Sequence, residues 1–578
     1  MSRRRVAACR LAAAALVAGA GALVAQEAPK PQMPTFRSGI DLVVVDVSVV
    51  DDGGRPVRGL APADFVLKVD GAPRRVVSAD FVATGAAESD KPAAAPIPSY
   101  YSSNEHARPG RLILLAVDEG NIRRGGGRSL LGTAGRFLDS LEPADRVGLV
   151  ALPGGRRIDF TADHAAVRDA LRRVTGLSDR LPGNFNIGLT EAIEMERGNT
   201  HVIDEVAQRE CERPNSECRL LVEQEARMMA QQAFVDSRAS LGALRSVIGG
   251  LRDIEGTKTL VLISEGLVQD LGLSEVTAVG DAARVAQVNV YVLQLDVPRF
   301  DVSEGRPSPT MMADIQMRAS GLENLAGASR GALFRVLGDG SATFDRLKRE
   351  LSGYYLVSFE PQGADRNGRP HRIQLDVPRK GVTVRSRHEF VSQPLSAAAE
   401  MPRERITHLL RSPILATELP LRMTTYTFQD AESPKLRVVM SAELDPASAG
   451  RVTDATLAFV MTDSQGRIVG NSADRAKTGE YFGATLVEPG TYTLKLAAMD
   501  SEGRRGSLEH QFTAALISAG DLLTGDLMLA HPSDRKGIPA RPAVDRAPGD
   551  RVLGYLELYS NNNDRLKSAT VQMAVADS

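Results

Sequence analysis

The sequence contains no tryptophan, and its 578 residues include only 10 tyrosines, 16 phenylalanines, three cysteines and eight histidines. Each scarcity removes a class of function. Unpaired bases need aromatic platforms to stack on, so the composition argues against single-strand nucleic-acid binding. The formal net charge of -2 supplies no basic field for a phosphate backbone, and no nucleic-acid partner is expected. The histidines never fall in His-Glu-x-x-His, and no Gly-x-Ser-x-Gly elbow closes a strand. The run Gly125 to Gly127 lacks the Gly-Lys-Ser/Thr of a phosphate loop. Two acids at strand ends, Asp118 and Glu265, are a pairing that any domain of this kind would offer, so the expectation is a protein that is not an enzyme.

Long apolar runs are scarce as well. The clearest, Leu11 to Ala25, follows Arg3, Arg4, Arg5 and Arg10 and ends on a small residue before Gln26. A basic start and an apolar core of about 15 residues, shorter than the ~20 of a membrane span, form a signal peptide over residues 1–25. Its removal predicts an exported chain, periplasmic or secreted, with about six net negative charges and no transmembrane segment. Two cysteines then remain, Cys211 and Cys218. In an oxidising compartment a disulfide across so short a loop is the simplest reading, and His201 alone cannot complete a metal tetrad.

The rest of the chain changes character twice. Residues 38–82 alternate as a small β unit: a valine-rich strand at Leu42–Val50, then Phe65–Gly71 and Arg75–Val82 joined by an Asp70-Gly71 turn. Residues 83–110, rich in Ala, Pro and Ser without periodicity, read as a linker. Strands and helices then alternate as in a doubly wound sheet. The predicted strands are Leu112–Val117, Val147–Leu152, Thr259–Ser264, Val288–Leu295 and Ala332–Val336. The predicted helices are Ser129–Leu141, Ala165–Val174, Asn186–Met195, Val276–Ala286 and Gln316–Ala326. One interval is too long, and residues 196–252 read as an inserted helical hairpin (Val202–Glu210 and Leu220–Leu251) stapled by the disulfide. Three strands over 353–390 and a helical linker over 393–412 follow. Regular short strands over 413–516 then predict a β-sandwich, and the tail 517–578, with a few strand candidates such as Val552–Tyr559 and Ala569–Val575, reads either as part of another sandwich or as an extension of the previous one.

The strand Arg111 to Asp118, the polar glycine-rich stretch after it, Ala144 to Val150, Phe160 to Asp163, Lys258 to Gly266 and Leu325 to Phe334 together resemble the von Willebrand factor A domain. With Gly59 to Phe65 before and Tyr354 to Pro361 after, the chain is similar to the exported bacterial proteins called VWFA-related, common in Acidobacteria. The resemblance implies an α/β domain over 111–340, inserted in a β-sandwich made from 38–82 and 353–390. It also implies an immunoglobulin-like sandwich after it.

The resemblance further implies a divalent-cation site at the strand C-termini, where Asp-x-Ser-x-Ser supplies an aspartate and two serines. Asp118 matches, but Gly120 and Ile122 stand at the serine positions, Phe185 at the threonine and Glu265 at the last aspartate. The site is degenerate and no cofactor is expected. Asp118, Glu265, Asn121, Asn184 and Ser264 are the residues left to hold Mg²⁺ or Mn²⁺. A second reading uses Arg123, Arg124 and Arg128, which bracket three glycines at a helix start and would grip a partner carboxylate without a metal. The implied function is protein binding of the adhesion type through this loop face, with an unidentified protein partner. The alternative is a structural component of an envelope or secreted assembly in which the A-like site is inert.

Overall fold

The computed structural model describes residues 42–83, 101–105, 110–125, 127–178, 183–254, 258–269, 274–296, 306–329, 331–386, 389–391, 402–444, 455–476, 480–501, 503–532, 540–542 and 553–572. The expected signal peptide lies outside them. Among the described residues no helix is long and apolar enough to cross a membrane.

The central sheet follows from its apolar runs. Strands β1 (Leu112–Asp118) and β4 (Lys258–Ser264) are buried at all seven positions, so both faces of this sheet must be covered by helices. In chain order the domain continues from β1 through α1 (Arg128–Asp139), β2 (Arg146–Leu152), β3 (Arg157–Thr161) and α2 (His164–Leu171). Next come α3 (Leu189–Glu196), α4 (Thr200–Glu210), α5 (Ser216–Gly250) and β4. It closes with α6 (Ser274–Val285), β5 (Val288–Gln294), α7 (Met311–Ala328), β6 (Ala332–Arg335) and α8 (Ser341–Glu350). The strand order is β6-β5-β4-β1-β2-β3, parallel throughout except for the antiparallel edge strand β3. Alternate residues of β1 serve opposite cores. Ile113, Leu115 and Val117 meet Leu138, Leu171 and Leu347 on one face. Leu114 and Ala116 meet Leu244, Val279 and Leu325 on the other.

Two elements of this domain, β3 and α8, escaped the sequence reading. The edge strand β3 offers only Ile158 and Phe160 as an alternating signal, and α8 is a charged helix whose apolar contacts come from Phe344 and Leu347. The hairpin boundary also changes. Helix α5 is one helix of 35 residues, about 50 Å long. Its lower half, through Leu241, Leu244 and Ile248, is an ordinary layer helix on the sheet rather than part of an insertion. Its upper half packs Val222, Ala226 and Ala230 against Ile193 and Val206 of α3 and α4, forming a separate arm. Cys211 and Cys218 are joined by a disulfide at the turn between α4 and α5.

The chain segments before and after this domain close on each other. One four-stranded sheet runs Val382–Ser386, Val43–Asp51, Gly353–Phe359, Val76–Ala83; another runs Glu389–Val391, Pro370–Asp376, Val66–Val69, Ala72–Arg74. They share a core in which Val47, Leu67, Tyr355 and Ile373 are 2% exposed or less. Asp70 and Gly71 both adopt positive φ, 49° and 83°, as a two-residue hairpin turn demands. That hairpin pairs Val66–Val69 with Ala72–Arg74 only. The predicted partner, Arg75–Val82, instead crosses to the other sheet beside Gly353–Phe359, because alternation fixes which face a residue uses but not which sheet a strand joins.

The C-terminal unit also has two sheets, ordered Glu480–Val487, Leu436–Leu444, Leu421–Gln429, Tyr101–Ser103 and Ile468–Ala476, Ala455–Asp463, Gly490–Asp500, Arg505–Ala514. The strand Tyr101–Ser103 corrects the reading of 83–110 as a linker, since it pairs with Arg422 to Thr424. Buried Asn104 fixes it there, donating to the carbonyls of Ala416 (2.9 Å), Leu419 (3.0 Å) and Ser507 (3.2 Å) and accepting from the Leu421 amide. The predicted helical linker is the helix Pro402–Arg411, packed through Ile406 and Leu409 onto Ala458 and Ala497. In the tail, Val552–Tyr559 splits into Leu553–Tyr555 and Leu558–Tyr559, and the described part of Ala569–Val575 is not a strand. Asp526 accepts from the Thr427 amide at 2.7 Å and the Tyr559 hydroxyl from the Gln429 amide at 2.9 Å, so the tail extends the unit before it.

His510 carries a measurable consequence. Its ring nitrogens lie 2.9 Å from the Ser102 hydroxyl and 2.8 Å from that of Thr425, and burial lowers its pKa to about 4. Above the ordinary value of 6.5 both folded and unfolded chains hold it neutral. Between 6.5 and about 4 only the unfolded chain takes the proton, so stability falls through that window by up to about 3 kcal/mol. Acid unfolding of wild type against His510→Gln, which keeps the hydrogen bonds but cannot titrate, is expected to show a shallower acid limb in the variant. Parallel limbs would contradict this.

Candidate functional site

The C-terminal edge of the sheet brings together most of the residues singled out from the sequence, though not as a cation site. Strand β1 delivers Asp118 to this edge, and the single 3₁₀ turn Glu119–Asn121 folds Asn121 back over it. The Asn121 amide donates to both Asp118 oxygens, at 3.1 Å each. Ser264, at the end of β4, donates its hydroxyl to Oδ2 at 2.8 Å. The hydroxyl of Ser240, from the middle of α5, donates to Oδ1 at 2.5 Å. Ser237, one turn earlier, donates to Asn121 Oδ1 at 3.3 Å and accepts from the Val268 amide at 2.8 Å. Burial pushes the Asp118 carboxyl above the usual range, and the donors from Ser240, Asn121 and Ser264 pull the other way.

Ser237 and Ser240 were invisible in the sequence reading. Gly120 and Ile122 stand where the resemblance puts serines, and a helix 122 positions away supplies a hydroxyl to Asp118. Gly120 makes room for it, since a Cβ there would stand 3.3 Å from Ser240 Oγ and 3.2 Å from Pro153. Ile122, at the other serine position, is buried in the core beneath α1.

Glu265 faces a different partner. It accepts from the Arg123 amide at 3.2 Å and from its Nε at 2.9 Å, while Arg318, packed against Gly266, adds a second positive charge whose field also acts on Glu265. Asn184 is exposed and its backbone amide donates to Glu225 of α5 at 2.8 Å, so it belongs to the arm rather than to Asp118. Phe185 packs partly into the arm's core. Of the three loop arginines, Arg123 is committed to Glu265, while Arg124 and Arg128 are exposed.

No family model and no curated protein matches this sequence.

The donor set does not fit a divalent cation. A hard cation needs several vacant oxygen positions converging on one point. Both Asp118 oxygens are occupied by hydrogen-bond donors, and Glu265 is held by a guanidinium. Among the described residues no three acidic, histidine or cysteine side chains cluster as ligands. Nor do the serines at this node have a base other than the carboxylate they already donate to, which is 1% exposed. What the arrangement does chemically is fasten α5, and with it the arm, to the end of β1. Beyond Ser237 the upper part of α5 runs on past this edge for about 30 Å.

Proposed function

We propose that this chain is an exported, non-enzymatic protein-binding protein built on a von Willebrand factor A-type domain, flanked by β-sandwich modules that space and present it. It contacts its partner, another protein, without a bridging metal ion. The observation that carries this reading is the closure of Asp118 by the chain's own Ser240, Ser264 and Asn121. In a metal-dependent domain that carboxylate would be offered outward through a cation. Here the neighbouring loop offers Arg128 instead, an exposed residue whose guanidinium suits a carboxylate-bearing surface, with Arg124 exposed in the same loop. The parallel strand order, with its acid-terminated central strand, supports the domain assignment.

The test places a photo-crosslinking residue at position 124 or 128 in the full chain, within its native exported fraction. The expected result is one discrete adduct that survives EDTA and disappears when the other arginine is changed to glutamate. Adducts only from the β units, for example from the exposed Phe482, would favour the structural-assembly reading. Titration with Mg²⁺, Mn²⁺ and Ca²⁺ is expected to give no saturable heat. Saturable heat that vanishes in Asp118→Ala would reinstate metal-dependent adhesion and overturn the proposal.

A further inference from the structure

A cleft of about 290 Å³ lies where the edge strand β3, the lower end of α5, the helix Pro402–Arg411 and the strand Gly490–Asp500 meet. It is remote in chemistry from the Asp118 node and independent of the function proposed above. Its lining divides into two kinds. Phe160, Val247 and Ile254 contribute to an apolar floor, and Arg157, Arg411 and Lys495 bring three positive charges against the single acid Asp159.

The cations are unequally satisfied. Arg157 is paired with Asp159 at 2.9 Å. Arg411, in the last turn of its helix, is exposed. Lys495 is partly buried, and its nearest carboxylate oxygen, on Glu509, is 3.9 Å away. That same oxygen already serves Arg146 at 3.6 Å. Burial lowers the Lys495 pKa, the response of an ammonium that has lost water without gaining a close partner. A crowded cation beside an apolar floor is relieved by an anion whose body is itself apolar.

We propose that this cleft is a binding site for a small amphiphilic monoanion, a carboxylate on an unbranched hydrocarbon chain. The carboxylate is held between Lys495 and Arg411, and the chain lies on Phe160, Val247 and Ile254. The volume accommodates about ten groups of water size, which matches a chain of about eight carbons.

The absence of tryptophan gives the test a clean reporter. In the full-length Phe160→Trp protein, tryptophan emission arises only from the cleft, and octanoate is expected to change it saturably. Removing two methylenes, as in hexanoate, is expected to weaken binding about tenfold. Octanol, which lacks the charge, is expected to bind at least about tenfold more weakly, as is octanoate to Lys495→Met. Arg411→Ala, a change at an exposed position that leaves folding intact, is expected to weaken octanoate as well, with calorimetry confirming each value on protein that retains Phe160. The absence of saturable binding by either method, equal binding of octanol and octanoate, or unchanged affinity in both cation variants would overturn the proposal.

Discussion

Asp118→Ala is expected to lower the stability of the protein by about 3–5 kcal/mol. The substitution opens a small cavity, but the larger effect is on what it leaves behind. The hydroxyls of Ser240 and Ser264 and the amide of Asn121 all lose an acceptor in a space closed to water, and each orphaned group costs about 1–3 kcal/mol. Relief of the buried carboxylate offsets part of this. Asp118→Asn keeps the shape and lets the hydroxyls rotate to accept, so its loss is expected to be smaller, about 1–2 kcal/mol. Because burial raises the Asp118 pKa, the folded chain holds this proton more tightly than the unfolded one. This group alone therefore makes stability fall as pH rises from the ordinary carboxylate range toward its raised value, and the asparagine variant lacks that dependence. Denaturant unfolding of the three proteins checks the ordering. An alanine variant within about 1 kcal/mol of wild type would mean that the node does not hold the arm.

Glu350→Ala is expected to cost as much, at a different junction. Glu350 ends α8, is buried, and accepts from Arg346 Nε at 3.2 Å and from Arg385 Nη1. Arg385 belongs to the strand Val382–Ser386 of the sheets flanking the central domain, and its guanidinium lies 5.6 Å from the ring centre of Tyr291 in β5. Burial pushes the Tyr291 hydroxyl up to about 12, so it stays neutral, and the partner of Arg385 at this junction is Glu350. Removing it strands a largely buried arginine, which costs about 3–5 kcal/mol. Glu350→Leu combined with Arg385→Leu removes both charges together and is expected to recover most of the loss. Equal destabilisation by the single and the double replacement would show that packing, not charge, joins the two units here.

What could be read from the chain depended on whether the cause was local. Six consecutive apolar positions, Leu112 to Val117, closed by Asp118 announce a strand buried on both faces. Two cysteines seven positions apart announce their disulfide, and an interval too long for one helix announces the arm. Ser240 announced nothing, because a serine on a helix is ordinary until the carboxylate it meets is known. Tyr101–Ser103 was lost for the same reason. Three residues among prolines and alanines carry no period, and their strand exists only because Leu421–Gln429 offers an edge. The metal reading turned on Glu265, where the residue type suits a cation, and nothing in the sequence signalled that Arg123 would pair with it.

The pairing of Val43–Asp51 with Gly353–Phe359 has a consequence for how the molecule comes into being. Synthesis delivers the first strand about 300 residues before its neighbour, so it must wait with its edges open while the whole central domain emerges between them. The central domain closes its sheet from its own strands and can settle first. Its completed fold then brings the two distant segments to the same place. The order of assembly runs from the middle outward, and a lesion that slows the centre leaves the earliest-made strand exposed for longest.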